Sequence, residues 1–337
     1  MSTEAPEAPG PGAAGTRAAA TSPQALGSEP SARRVSLRQR LRRDWALLVM
    51  VLPGMALFAV FHYLPSLGNI IAFQDYSPYS GGFTGSPWIG LANFRLMFTD
   101  AAFWDALGNT LTITGFQLIF YFPVPIALAL ALNSVISPRI RSLVQGVVYL
   151  PHFFSWVLVV SLFQQILGGA GLLAQTLRQH GMQPLDIMTS PDTFIVLVTA
   201  QTVWKDAGWG MIVFLAALST IDPNLYEVSA TDGAGRWRRL WHITLPGLRP
   251  VIVLLLILRL GDALSVGFEQ FILQRQSVGA GAAEVLDTYV YYKGFLVQDF
   301  GYGAAVGLFK GFVGLLLILA ANRVAHRFGE QGIYQKS

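Results

Sequence analysis

The sequence predicts an all-α integral membrane protein with six transmembrane helices and both termini in the cytoplasm. Three observations predict it. Hydrophobic residues make up 53% of the 337-residue chain and charged residues only 12%, about half the charged share of an average soluble domain. Six stretches reach the roughly 20 residues that a hydrocarbon core about 30 Å thick demands. Lys and Arg gather on alternate sides of those stretches, the pattern left by positive residues retained on the inner face.

Residues 1–44 are rich in Ala, Pro, Gly and Ser and end in Arg33, Arg34, Arg38, Arg40, Arg42 and Arg43. Too little apolar surface is present there to fold alone, so the segment reads as a disordered basic cytoplasmic tail whose arginines fix orientation. The apolar run that follows is long enough to span, and reads as a retained anchor rather than a removed signal peptide. It is predicted near Trp45 to Phe61, extending to Leu67, and residues 45–105 comprise this first helix and an extracytoplasmic loop. The remaining spans are predicted at Asn109–Leu132, Leu143–Leu167, Thr193–Leu218, Val251–Ile272 and Gly301–Ala321, within a membrane-embedded core of residues 106–322. The first three of the six contain no Asp, Glu, Lys or Arg. A bare backbone finds no hydrogen-bond partner in lipid, so each should be helical. Pro53, Pro123, Pro125 and Pro151 then mark kinks or breaks within spans.

With a cytoplasmic N-terminus, the inner side holds the tail arginines, Arg139, Arg141, Arg236, Arg238, Arg239, Arg249, Arg323, Arg327 and Lys336. The outer side holds only Arg95, Arg178, Arg275 and Lys293. The bias places the loop at residues 222–247 and the C-terminal tail at 323–337 on the inner side.

That loop is unusual, because it is charged and punctuated by Gly and Pro between two apolar runs. Asp222 followed by Pro223 is a helix start, since Asp caps free N–H groups and Pro needs no donor in the first turn. Leu225 and Val228 share a face, and Gly233 is a natural stop. A second helix from Arg236 aligns Trp237, Leu240 and Trp241 on one side, and Pro246 ends it. Two short amphipathic helices with a bend are expected. Their apolar stripe needs a partner, whether headgroups, the chain's own bundle, or a groove in another protein.

The spacing here is similar to a known motif. Glu227, Val228, Ser229, then Gly233, nine intervening residues, Ile243, and Leu245-Pro246 resemble the EAA loop, E-A-A-x3-G-x9-I-x-L-P, of membrane subunits of bacterial binding-protein-dependent ABC importers. Asp232-Gly233-Ala234 fits the longer form of the motif, whereas Val228 and Ser229 replace its two alanines. Tyr149–Trp156, Asn93-Phe94, Asn109-Thr110, Trp204–Trp209, Phe268-Glu269, Asp287-Thr288-Tyr289 and Ala320–Arg323 with Arg327-Phe328-Gly329 look like the oligosaccharide and polysaccharide branch of the carbohydrate-uptake permeases.

The resemblance implies a type I ABC importer permease fold in a bacterial plasma (inner) membrane. It implies a coupling role for Glu227, Val228, Ser229, Asp232, Gly233, Ala234, Ile243, Leu245 and Pro246. Glu227 would pair or cap at the docking surface, Gly233 would form the bend, and Leu245-Pro246 would fix the exit into the fifth helix. Implied partners are a second homologous permease, a cytoplasmic ATPase dimer that binds ATP and Mg²⁺, an extracytoplasmic solute-binding protein and a carbohydrate, with no nucleic acid. No G-x-x-x-x-G-K-[ST] loop is present, so no cofactor is expected in this chain, and ATP hydrolysis belongs to another subunit.

Charges inside the spans are costly and mark cavities or pairs. Lys205, Asp206, Glu269 and Lys310 are candidates to line a hydrated path, with Trp204 and Trp209 offering flat faces to pyranose rings. Arg259 and Asp262, at i and i+3, are expected to form a structural ion pair. Gly303, Gly307 and Gly311 form a small-xxx-small line suited to close helix packing. The aromatic and Gly-rich loop from Gln74 to Thr99 is expected outside. His62, His152, His180, His242 and His326 lack metal-ligand spacing, and His152 is expected to pack or to bond backbone; Cys is absent. Two alternatives remain open from the residues alone. One is an ion-coupled secondary transporter with Lys205, Asp206 and Glu269 as relays. The other is a membrane enzyme using an intramembrane carboxylate, which no nucleophile or paired-carboxylate motif supports.

Overall fold

A computed structural model describes residues 44–79, 81–327 and 329. The basic run from Arg33 to Arg43 lies outside them, as does most of the tail predicted at 323–337, of which only residues 323–327 and 329 are described. The described elements are helical apart from a single antiparallel bridge between Gln74 and Trp88.

Two units are distinguished, Met1–Leu64 and Pro65–Ser337. In the first, helix α1 (Trp45–Phe58) continues as a wider π-turn over Ala59–Tyr63 and carries Pro53 inside it. The apolar helical run Trp45–Phe73 is 29 residues long.

The second unit contains α2 (Ala92–Thr99), α3 (Ala101–Phe120), α4 (Pro123–Asn133), α5 (Pro138–Tyr149), α6 (Trp156–Leu167) and α7 (Leu172–Gln179). These are followed by α8 (Pro191–Leu218), α9 (Pro223–Thr231), α10 (Arg236–Gly261), α11 (Glu269–Val278), α12 (Leu286–Val290) and α13 (Phe300–Arg327). Among the described residues, five helical runs are long and apolar enough to cross a membrane, and the pair α8–α9, bent by 71°, makes a sixth when counted as one span.

The spans predicted at Asn109–Leu132, Thr193–Leu218 and Gly301–Ala321 correspond to α3–α4, α8 and α13. Two others differ. The stretch Leu143–Leu167 is not one helix: α5 stops at Tyr149, a 3₁₀ turn occupies Leu150–Phe153, and the apolar run resumes at Trp156. Pro151 cannot donate to a continuing α-ladder, and Ser155 starts a new helix by accepting from the Leu158 N–H at 3.3 Å. The stretch Val251–Ile272 is also divided, since α10 ends at Gly261 and Ile272 belongs to α11. Between them Gly267 has φ +110°, a backbone no continuing right-handed helix adopts.

Close contacts in α8 explain the glycines of the Trp204–Met211 stretch. A Cβ on Gly208 would run into the Val148 carbonyl of α5, and one on Gly210 would lie 2.9 Å from Pro125 of α4. Around this helix the core falls into apolar clusters. Phe194 and Val198 pack with Ile113 and Phe271, and Met211 and Phe214 pack with Ala129 and Leu248. A third cluster joins Phe103, Leu286, Tyr289 and Tyr302.

Candidate functional site: a bent loop and a polar path

The loop begins as the sequence predicts. Asp222 accepts from the Asn224 N–H at 2.9 Å, and Pro223 takes the first turn of α9. The helix closes at Gly233, φ +74°, where the Ala234 N–H reaches back to the Ser229 carbonyl at 2.9 Å and the Gly233 N–H to Ala230 at 3.1 Å. This pair of bonds is the Schellman closure, which needs a left-handed residue where Gly233 stands.

The second arm departs from expectation. No short helix ends at Pro246; α10 runs unbroken from Arg236 through Pro246 and Pro250 to Gly261. A π-turn at Leu240–Thr244 widens the backbone just before Pro246, which relieves the ring's clash with the preceding turn. Leu245 and Pro246 therefore sit within a continuous helix, and the arm of the loop and the membrane helix are one rigid element. Tyr226 on α9 meets Thr244 on α10, hydroxyl to hydroxyl at 3.1 Å.

Glu227, Asp232 and Pro246 are exposed, while Ser229, Ala234, Ile243 and Leu245 are half-buried. Leu225, Val228, Trp237 and Trp241 are all more than half exposed, with Trp237 at 76%. A chain with a packed core thus leaves two indoles and two aliphatic groups of this loop uncovered. A cavity of about 370 Å³ lies inside the bend, lined by Ser229, Asp232, Ala234, Arg238, Arg239, His242 and Ile243.

In α8, Lys205 and Asp206 point in different directions along the helix, yet both engage His152 of the 3₁₀ turn. The Lys205 ammonium donates to the His152 carbonyl at 2.8 Å, and Asp206 Oδ1 lies 2.9 Å from His152 Nδ1. Lys205 and Asp206 are 3.8 Å apart, and the ammonium also faces the Trp156 ring at 5.6 Å. The His152 ring stacks on Trp209 at 4.9 Å with a 14° tilt, so the side chain has partners beyond packing and backbone. Trp204 meets Phe154 and Phe163 instead. The break at Pro151 turns His152 toward α8, and no local sequence period announces that contact.

The expected Arg259–Asp262 pair does not form. Helix α10 ends before Asp262, which leaves the helical register at φ −93°, ψ 15°. Arg259 donates instead to Gln117 Oε1 at 2.6 Å and lies over the Tyr121 ring at 5.8 Å. Lys310 is bound to Asp287 of α12 rather than free, and Glu269 is exposed at the start of α11. Gly303 packs on Gly294, where a Cβ would lie 2.8 Å from the Gly294 Cα, whereas Cβ atoms on Gly307 and Gly311 would meet nothing within 4 Å. Gly314, not Gly311, makes the next close approach, to the Gly261 carbonyl.

Sequence reasoning missed a buried amide chain. Gln117 bonds Thr202 at 3.5 Å, Thr202 bonds Gln270 at 3.4 Å, Gln270 donates to Gln201 at 2.9 Å, and Gln201 and Gln274 exchange bonds at 3.0 and 3.1 Å. Each of the five side chains is at least nine-tenths buried. The chain ties α3, α8 and α11 together. Its only trace in the sequence is four glutamines in apolar surroundings.

The sequence profile of binding-protein-dependent transport system inner membrane components matches residues 121–330. The chain is 44% identical over 303 residues, 90% of its length and 94% of the relative's, to the polygalacturonan/rhamnogalacturonan transport system permease protein YteP of Bacillus subtilis (strain 168). It superposes, with TM-score 0.80 and 38% identity, on a bacterial alginate ABC transporter in complex with an alginate pentasaccharide-bound periplasmic protein, covering 88% of this chain and 99% of that one. A second structure, a bacterial ABC transporter involved in the import of the acidic polysaccharide alginate, gives TM-score 0.80 and 38% identity over 87% of this chain and 99% of that one. With its membrane helices, its bent loop and these likenesses together, the chain belongs to the family of binding-protein-dependent transport system inner membrane components.

Proposed function

We propose that this subunit forms half of the membrane pathway of an ATP-driven importer, and that its cargo is an acidic oligosaccharide handed over by an extracytoplasmic binding protein. Both termini face the cytoplasm, and the loop at residues 222–247 docks on a separate ATPase dimer that holds ATP and Mg²⁺. The observation that carries this reading is the uncovered apolar face of a rigidly braced loop. Leu225, Val228, Trp237 and Trp241 are exposed, while the Schellman closure and the Tyr226–Thr244 bond fix the angle between the arms. Because α10 continues from the loop into the bilayer, movement of the loop carries the membrane helix with it. Closure of the ATPase then rocks the bundle between outward and inward access, and cargo biases the equilibrium by its different affinity for the two states.

Glu227, exposed at the docking surface, supplies an ion pair or cap to the ATPase. The path runs past Trp209, Lys205 and Asp206, where a flat indole and fixed charges suit a pyranose ring and its hydroxyls. The acidic class is supported by the relatives, one a polygalacturonan/rhamnogalacturonan permease and another a transporter that imports the acidic polysaccharide alginate.

Uptake of a labelled oligogalacturonate into vesicles holding the complete transporter tests the reading. Uptake requires internal ATP and the ATPase subunits, and fails in Gly233→Pro with the complex still assembled. Uptake driven by an ion gradient without those subunits would reject it.

A further inference from the structure

Arg259 is a guanidinium near the end of a membrane helix whose described partners are an amide oxygen and an aromatic face, with no carboxylate among them. Its expected counter-ion, Asp262, is turned away by the end of α10. The other acidic group of the region, Asp206, is engaged by His152 and Lys205. An intramembrane cation without a neutralising carboxylate is costly, and such charges mark pathways.

The arginine is also held in place. Gln117 Oε1 accepts one of its N–H groups, and the amide of the same Gln117 is committed to Thr202 at the head of the buried glutamine chain. Gln117 is 1% exposed and cannot swing away. The Tyr121 ring lies on a second side of the guanidinium at 5.8 Å, and Thr202, to which Gln117 donates, stands one turn before Asp206 on α8, so the arginine borders the same region as the Lys205–Asp206–His152 group. A guanidinium has five donors in a planar fork, and Gln117 takes only part of that capacity.

We propose that Arg259 is the carboxylate receptor of the path: its remaining N–H groups pair with the carboxylate of a uronate residue as the saccharide passes, and Gln117 positions it for that task. The inference rests on the acidic-oligosaccharide reading. A planar fork matches a carboxylate with two parallel bonds, which an ammonium cannot reproduce. The half-buried setting strengthens the pairing, and the preformed brace lowers the ordering cost of each binding event.

The test uses the complete transporter in ATP-loaded vesicles, given either a short oligogalacturonate or its methyl ester, which keeps the ring and hydroxyls and removes the charge. Each variant is compared with wild type for each compound, so selection by the binding protein cancels. Arg259→Gln lowers uptake of the acid by about tenfold or more, the scale of one lost charge-assisted bond, and leaves the ester within about twofold. Arg259→Lys restores part of the acid uptake, and Gln117→Leu lowers acid uptake while the charge remains. The ATPase rate stimulated by the acid follows the same order. Equal loss for both compounds, or no loss for either, overturns the receptor. Wild-type vesicles that carry neutral oligosaccharides and reject the acid overturn the substrate reading instead, and this inference with it.

Discussion

Tyr226 and Thr244 stand 18 residues apart in the chain and meet hydroxyl to hydroxyl at 3.1 Å, so the two arms of the bent loop are pinned by one side-chain bond. Tyr226→Phe removes that bond and leaves the ring. Thr244 keeps a long contact to the Arg239 carbonyl at 3.4 Å, so the cost to stability is that of one hydrogen bond, about 1 kcal/mol. Thermal unfolding of the purified complex measures this, and uptake per ATP hydrolysed falls more than the stability does if the brace transmits motion.

Gly233 and Gly208 separate two uses of glycine. A Cβ on Gly233 meets no atom within 4 Å, and only its φ of +74° resists substitution. Gly233→Ala therefore costs about 1–2 kcal/mol, and Gly233→Asn costs less. A Cβ on Gly208 meets the Val148 backbone, which cannot yield as a side chain can, so Gly208→Ala prevents α5 and α8 from seating. Yield and monodispersity of the extracted complex distinguish the two.

Trp237→Ala and Trp241→Ala alter side chains that are 76% and 64% exposed. Their removal leaves the melting temperature of the isolated subunit within a few degrees and lowers ATPase co-purification. A large drop in melting temperature with unchanged association would show that the indoles serve the fold and not docking.

Gln201 lies at the centre of the amide chain and is fully buried. Gln201→Leu leaves the amides of Gln270 and Gln274 short of an acceptor, at about 1–3 kcal/mol for each buried group left unpaired. The triple change of Gln201, Gln270 and Gln274 to Leu removes both sides of these bonds and is milder than the single change. Comparing the unfolding of the two variants checks this non-additivity.

Asp100 caps α3 through the Ala102 N–H at 2.9 Å. Burial alone would raise its pKa, but hydrogen bonds from Tyr289 and Lys293 and from the Ala102 N–H outweigh burial and hold the carboxyl below its ordinary value. A folded pKa below the unfolded one contributes stability above the ordinary carboxylate range, and that contribution disappears as pH falls through the folded value. Asp100→Asn therefore destabilises the protein at neutral pH and flattens the acid limb of its stability profile, measured by melting temperature against pH.

Local properties were readable along the chain. Hydropathy located the spans predicted at Trp45–Leu67, Asn109–Leu132, Thr193–Leu218 and Gly301–Ala321, which the helices overrun by up to six residues at their C-terminal ends, because the bilayer imposes a length that composition reports. The start at Asp222-Pro223 and the stop at Gly233 were readable too, because caps act within a few residues. Continuity through Pro246 was not, since a π-turn just upstream absorbs the proline; the break expected at Pro151 is present, and it divides the third predicted span.

Partners across space were decided by packing alone. Arg259 finds Gln117 at a separation of 142 residues rather than Asp262 three residues away, because α10 ends first. Asp206 finds His152 across 54 residues, and four glutamines scattered over the chain become one network. Periodicity and caps depend on neighbours within a turn or two, so sequence carries them. Which polar group satisfies which depends on how helices cross, and only the assembled bundle sets those distances.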